Sequence, residues 1–114
     1  MGNQRKFERF YLSYYLKVID RQTDLSIGHC VNVSNGGMMI ISEGPIVTKT
    51  VFQLKMFLPQ EINGSRYVDF IAVSKWCRND ENPDFYNIGF QLQHVGPEII
   101  KVIEHLINNF CLDE

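Results

Sequence analysis

The chain of 114 residues carries 45% hydrophobic and 21% charged side chains, the proportions of one ordinary globule with room for a single core. No run approaches the roughly 18 apolar residues of a membrane span, and the polar start Met-Gly-Asn-Gln-Arg-Lys lacks the apolar centre of a signal peptide, so a cytoplasmic protein without membrane insertion is expected. The net charge of -2 conceals an asymmetry: residues 1–21 hold five bases against two acids and residues 22–114 hold six against eleven, a basic end too small for a general nucleic-acid binder and better suited to a small anion.

Residues 1–10 have no sustained apolar period and carry the cluster Arg5-Lys6-Phe7-Glu8-Arg9, which predicts an arm that is flexible unless something ties it down. From Leu12 the pattern alternates, with Leu12, Tyr14, Leu16 and Val18 on one face. The polar stretch Arg21-Gln22-Thr23-Asp24 reads as a turn. A second run follows, with Ile27, His29, Val31 and Val33 on one face and Gly28, Cys30, Asn32 and Ser34 on the other. A hairpin centred on Gln22 and Thr23 would pair Leu12 with Val33, Tyr14 with Val31, Leu16 with His29 and Val18 with Ile27. That register turns Asn32 and Ser34 outward and returns Asn32–Gly37 to the end of the arginine arm.

Met38–Ser42 is a short strand, broken by Glu43-Gly44-Pro45. Phe52, Leu54, Met56 and Leu58 form the buried side of another strand, closed by Pro59 and the loop Asn63-Gly64-Ser65. Tyr67–Arg78 is longer and apolar on both sides in its middle, which suggests a bend or a central position. After the loop 79–84, a last strand puts Ile88, Phe90 and Leu92 inward. Gly96-Pro97-Glu98 then opens a helix over about 97–111, since proline suits the first helical position and an acid the first turn. Ile99, Ile100, Ile103, Leu106, Ile107 and Phe110 mark its apolar stripe. Six strands and one terminal helix predict a mainly β, six-stranded antiparallel barrel plugged or flanked by the helix, with residues 11–114 as the one domain.

Catalytic patterns are missing. His29, His94 and His105 have no ligand-like spacing to one another or to Cys30, Cys77 and Cys111, so no metal site is expected. Ser34 lacks a GxSxG elbow, and neither GxGxxG nor GxxxxGK occurs. No catalytic residue and no cofactor are assigned. What remains is a donor-rich constellation. Arg5 and Arg9, four apart, share a side, and the hairpin brings them to Asn32, Ser34, Gly36 and Gly37. Guanidinium groups bond guanine O6 and N7 in a forked geometry and grip phosphate, an amide and a hydroxyl can bond the opposite base edge, and glycine lets backbone approach a ligand. The deduced ligand is an anionic purine nucleotide.

Arg5-x-x-x-Arg9 followed after 22 residues by Asn32-x-Ser34-x-x-Gly37 resembles the paired RxxxR and [DN]xSxxG signature of PilZ domains, bacterial receptors for cyclic di-GMP. Val73-Ser74-Lys75-Trp76-Cys77-Arg78 is similar to the family's strand ending in tryptophan, and Tyr86-Asn87-Ile88-Gly89-Phe90 to its aromatic-x-x-Gly-aromatic strand. The resemblance implies a split, Greek-key barrel that binds cyclic di-GMP on its outer surface beneath the arginine arm. By the same carry-over, Arg5 and Arg9 grip guanine edges and phosphates, Asn32 and Ser34 contact the second guanine, Gly37 shapes the loop, and Trp76 and Arg78 border the ligand, the alternative for Trp76 being plain packing in the barrel. It implies a cytoplasmic sensor that offers an altered surface to a protein effector. The alternatives are an adaptor of this fold that has lost nucleotide binding, and an enzyme or flavin-binding barrel of similar topology.

Overall fold

The computed structural model describes residues 8–112. Six strands, β1 (Phe10–Asp20), β2 (Ser26–Val33), β3 (Gly37–Ser42), β4 (Val51–Ile62), β5 (Ser65–Asn79) and β6 (Tyr86–Gln93), are followed by one helix, α1 (Pro97–Asn109). The strands form one antiparallel sheet in the order β1-β2-β3-β6-β5-β4, and it closes where Val18–Asp20 of β1 pair with Leu54–Met56 of β4. The core is the inward half of each strand, with Val18, Val33, Ile40, Leu54, Met56 and Ile88 fully buried. Alternation of apolar residues has therefore become the inside and outside of a barrel.

α1 starts as its sequence dictates, with extended Gly96 at its cap, Pro97 in the first turn and Glu98 beside the positive end of the dipole. Ile99, Val102, Ile103 and Leu106 are buried and join the barrel's apolar cluster. Val102 thus replaces Ile100, which is exposed, because the contact stripe is rotated toward the 99, 102/103, 106 positions of a 3.6-residue period. Beyond the helix the chain lies along β1: Leu12 bridges Cys111, the Ser13 amide donates to the Phe110 carbonyl at 2.7 Å, and the Leu112 amide to the Tyr11 carbonyl at 2.8 Å.

The first hairpin departs from its predicted register. Ile19 pairs with Ser26 as expected near the turn, but Val18 meets Gly28, Leu16 meets Cys30, and after an irregular stretch Tyr11 meets Asn32 and Phe10 meets Val33. Between Tyr11 and Leu16 the first strand carries more residues than its partner, a bulge of the kind that a tightly curved barrel wall requires. The faces change accordingly. Tyr14 is 68% exposed and His29 is exposed rather than inward, and Cys30 is fully buried rather than outward. Pro59 does not end β4: the strand continues to Ile62 while its ladder with β5 lapses between Phe57 and Ile62, where a residue without an N–H costs no pairing.

Candidate functional site

Pairing across the barrel wall sets out the site. Tyr11 faces Asn32, Asn32 faces Met39, Met39 faces Gly89 and Gly89 faces Trp76, so these five residues form one transverse row across β1, β2, β3, β6 and β5. Directly paired residues share a face, and the flanking Val33, Met38 and Phe90 are buried in the core, so the row lies on the outer face. Gly89 leaves the middle of the row bare. A Cβ there would overlap Cε2 and Nε1 of the Trp76 indole, which occupies that space.

The β2–β3 loop forms the adjoining wall, and Ser34 is its hub. The Ser34 hydroxyl accepts from the Gly36 amide at 3.3 Å and the Gly37 amide at 3.1 Å, and the Ser34 amide donates to the Gly37 carbonyl at 2.9 Å. The Gly36 carbonyl takes the Leu92 amide at 2.9 Å and so ties the loop to β6. Gly37 packs its α-carbon on the Phe90 carbonyl, where any side chain would collide. Ser34 and Gly37 thus hold the loop in shape: the serine hydroxyl is bonded to the loop's own amides, and Gly37 is required by contact with β6.

Wall and row enclose a cleft of about 330 Å³, lined by Arg9, Asn32, Ser34, Gly36, Gly37 and Trp76 together with Met38, Met39, Lys75, Gly89, Phe90 and Gln91. Arg5 lies outside the described residues. Arg78 does not line the cleft; its guanidinium sits 4.7 Å from the centre of the Trp76 ring, and that of Arg9 sits 6.0 Å from it. Of the described lining residues only Arg9 and Lys75 are charged, and none is acidic. Sequence reasoning missed Lys75 and Gln91, although the strand signals around Trp76 and Gly89 already pointed to the two strands that carry them.

Asn32 is the exceptional member. It faces outward as expected, yet it is only 1% exposed, and among the described residues its Nδ2 has no hydrogen-bond partner. A buried amide donor left unpaired costs about 1–3 kcal/mol. Among the described residues no group of three or more His, Cys, Asp or Glu is placed to hold a metal ion, and no helix is long and apolar enough to cross a membrane.

A family model described as PilZ domain matches residues 3–109. No curated protein sequence matches the chain. Among solved structures, the PilZ domain of YcgR from Escherichia coli with c-di-GMP superposes with a TM-score of 0.73 at 14% identity, covering 95% of this chain and 92% of that one. The Bacillus subtilis inhibitor of motility, MotI/DgrA, gives 0.72 at 17% identity over 94% of this chain and 51% of that one. The MrkH–c-di-GMP complex of K. pneumonia gives 0.70 at 12% identity over 96% and 53%. This chain therefore spans about half the length of MotI/DgrA and MrkH.

Proposed function

The chain belongs to the PilZ domain family, and from that premise we propose that it is a receptor for cyclic di-GMP which binds the nucleotide in the Asn32–Trp76 cleft. The observation that carries this reading is the buried Asn32 Nδ2, a donor that finds no acceptor among the described residues, on a side chain lining a cleft whose described charged residues, Arg9 and Lys75, are both cations. A guanine edge supplies acceptors at O6 and N7, and the phosphodiesters supply the negative charge that Arg9 and Lys75 lack. Ring stacking on Trp76, stiffened by Arg78, fits a purine better than an inorganic anion. The c-di-GMP held by the YcgR and MrkH structures is in keeping with this assignment.

Arg9 grips the nucleotide from the end of the arm, and Arg5 joins it once the arm settles over the ligand. Fixing each arm residue costs roughly 1–2 kcal/mol, and each charge-assisted hydrogen bond returns about 1.5–3 kcal/mol. Arm closure is then favourable only with nucleotide present. The receptor works in the bacterial cytoplasm, and the changed surface is read by a protein effector. It is a binding module and carries out no reaction of its own.

Calorimetric titration with cyclic di-GMP, beside GMP and beside Arg9→Ala, tests the reading. Saturable heat that GMP does not reproduce and Arg9→Ala removes is expected. Absence of heat, with no rise in Tm in excess ligand, overturns it in favour of an adaptor that binds no nucleotide.

A further inference from the structure

β5 changes phase at Lys75. Its ladder with β6 runs Val73 to Gln91 and Ser74 to Phe90, then resumes at Trp76 to Gly89, leaving Lys75 as the extra residue of a bulge. Ala72 and Ser74 point inward and are fully buried. Uninterrupted alternation would continue inward with Trp76 and Arg78. Instead Cys77 packs against the core, and Trp76 and Arg78 stack together outside it. Lys75, exposed at the bulge, and Trp76, on the outer face opposite Gly89, thereby both line the cleft.

The bulge is braced from within. The Ser74 hydroxyl donates to the Val47 carbonyl at 2.6 Å and accepts from the Thr50 amide at 3.2 Å, and the Ser74 amide donates to the Thr50 carbonyl at 2.9 Å. A buried serine clamped to the β3–β4 connection fixes the backbone from which Lys75 projects. Among the described residues Lys75 itself makes no ion pair, whereas Arg21 pairs with Asp69. Lys75 is exposed at the edge of a cleft whose described lining holds no acid.

We propose that Lys75 is a phosphate-contacting residue of this cleft, presented by the β5 bulge and set apart from both arginine and Asn-x-Ser motifs. The assignment rests on the cyclic di-GMP reading. Lys75 supplies a compact point charge to a phosphodiester while the flat guanidinium of Arg9 is free to fork onto a base edge. Gln91, outward on β6 between Gly37 and Val73, lines the same end of the cleft.

The test is the affinity for cyclic di-GMP of the unaltered protein, Lys75→Gln and Lys101→Gln, each titrated over a series of salt concentrations. Lys101 is an exposed helix residue outside the cleft and controls for net charge. Lys75→Gln is expected to bind about tenfold more weakly and with a shallower dependence of log Kd on log salt, because one screened charge pair is gone. Lys101→Gln should match the unaltered protein in both. If the unaltered protein binds and Lys75→Gln keeps its affinity and salt slope, the Lys75 assignment is overturned while the receptor reading stands. If the unaltered protein does not bind, both fall.

Discussion

Trp76 occupies the volume that a side chain at Gly89 would fill, so the indole lies against bare β6 backbone and forms part of the cleft's lining. The contact joins two strands on the outer face and presents the flat ring to the space that Asn32 and Met39 also border. The guanidinium groups of Arg78 and Arg9, 4.7 and 6.0 Å from its ring centre, keep cations near it. Gly89→Ala is expected to expel the ring from this seat. Because Trp76 is the single tryptophan, its emission reports the event directly: a shift to longer wavelength and a loss of stability of about 1–3 kcal/mol. Unchanged emission in Gly89→Ala would show that the indole is not seated as described.

Gly37 and Gly44 offer a matched pair. An added Cβ at Gly37 collides with the Phe90 carbonyl, whereas one at Gly44 has nothing within 4 Å. Gly37→Ala should therefore separate β3 from β6, undo the amide bonds gathered by the Ser34 hydroxyl, and cost about 1–3 kcal/mol in chemical denaturation. Gly44→Ala should lie within about 0.5 kcal/mol of the unaltered protein. Equal costs at the two positions would refute a close-contact role for Gly37.

The strands and the helix were legible because each repeats a two- or 3.6-residue period over a useful length, and Gly96-Pro97-Glu98 marks the helix start chemically. The assembly of Arg9, Asn32, Ser34, Gly36, Gly37 and Trp76 at one cleft was legible in their motifs. Phase changes were not. The irregular stretch of β1 between Tyr11 and Leu16, the shift of β2 between Cys30 and Asn32, and the extra residue at Lys75 answer to barrel curvature, which is a property of all six strands together and leaves no local mark. Hence Tyr14 and Cys30 were assigned to the wrong faces, and Lys75 went unnoticed. The burial of Asn32 was equally hidden, since a residue on the outer face of a strand is ordinarily wet.

Cys30 and Asp80 make opposite pH predictions. Burial pushes the Cys30 thiol far up, and its Sγ–H donates to the Asn32 carbonyl at 3.3 Å. A raised folded pKa contributes stability that is whole below the unfolded thiol value of about 8.5 and declines as pH rises beyond it. The denaturation midpoint should thus fall above that pH, and less steeply in Cys30→Ala. In thiol counting at pH 8, Cys77 and Cys111, both partly exposed, should react in the folded protein and Cys30 only on unfolding. Fast labelling of Cys30 in the native state would contradict its burial.

Asp80 goes the other way. Its carboxylate accepts the Asn82 amide at 3.2 Å and the Asn87 side-chain amide at 3.0 Å, and these bonds hold its pKa below the ordinary value. A depressed folded pKa contributes stability that is present above the unfolded value of about 3.9 and is lost as pH falls through the folded one. An NMR titration should place the Asp80 midpoint below that of a free aspartate, with the Asn82 amide and Asn87 side-chain signals moving in step. A normal midpoint would mean that the loop is not braced this way in solution.

Asn32→Leu separates stability from binding. Among the described residues the buried Asn32 Nδ2 has no partner, so an apolar side chain of nearly the same shape removes a desolvated donor. The free protein should keep its Tm or gain up to about 1 kcal/mol. Excess cyclic di-GMP should raise the Tm of the unaltered protein and leave that of Asn32→Leu in place, because the acceptor on the ligand then meets a methyl group. A site maintained for function at a cost to the empty fold predicts that pairing of outcomes. A purely structural asparagine predicts the reverse, a clear loss of stability with ligand response retained, and that result would remove Asn32 from the binding site.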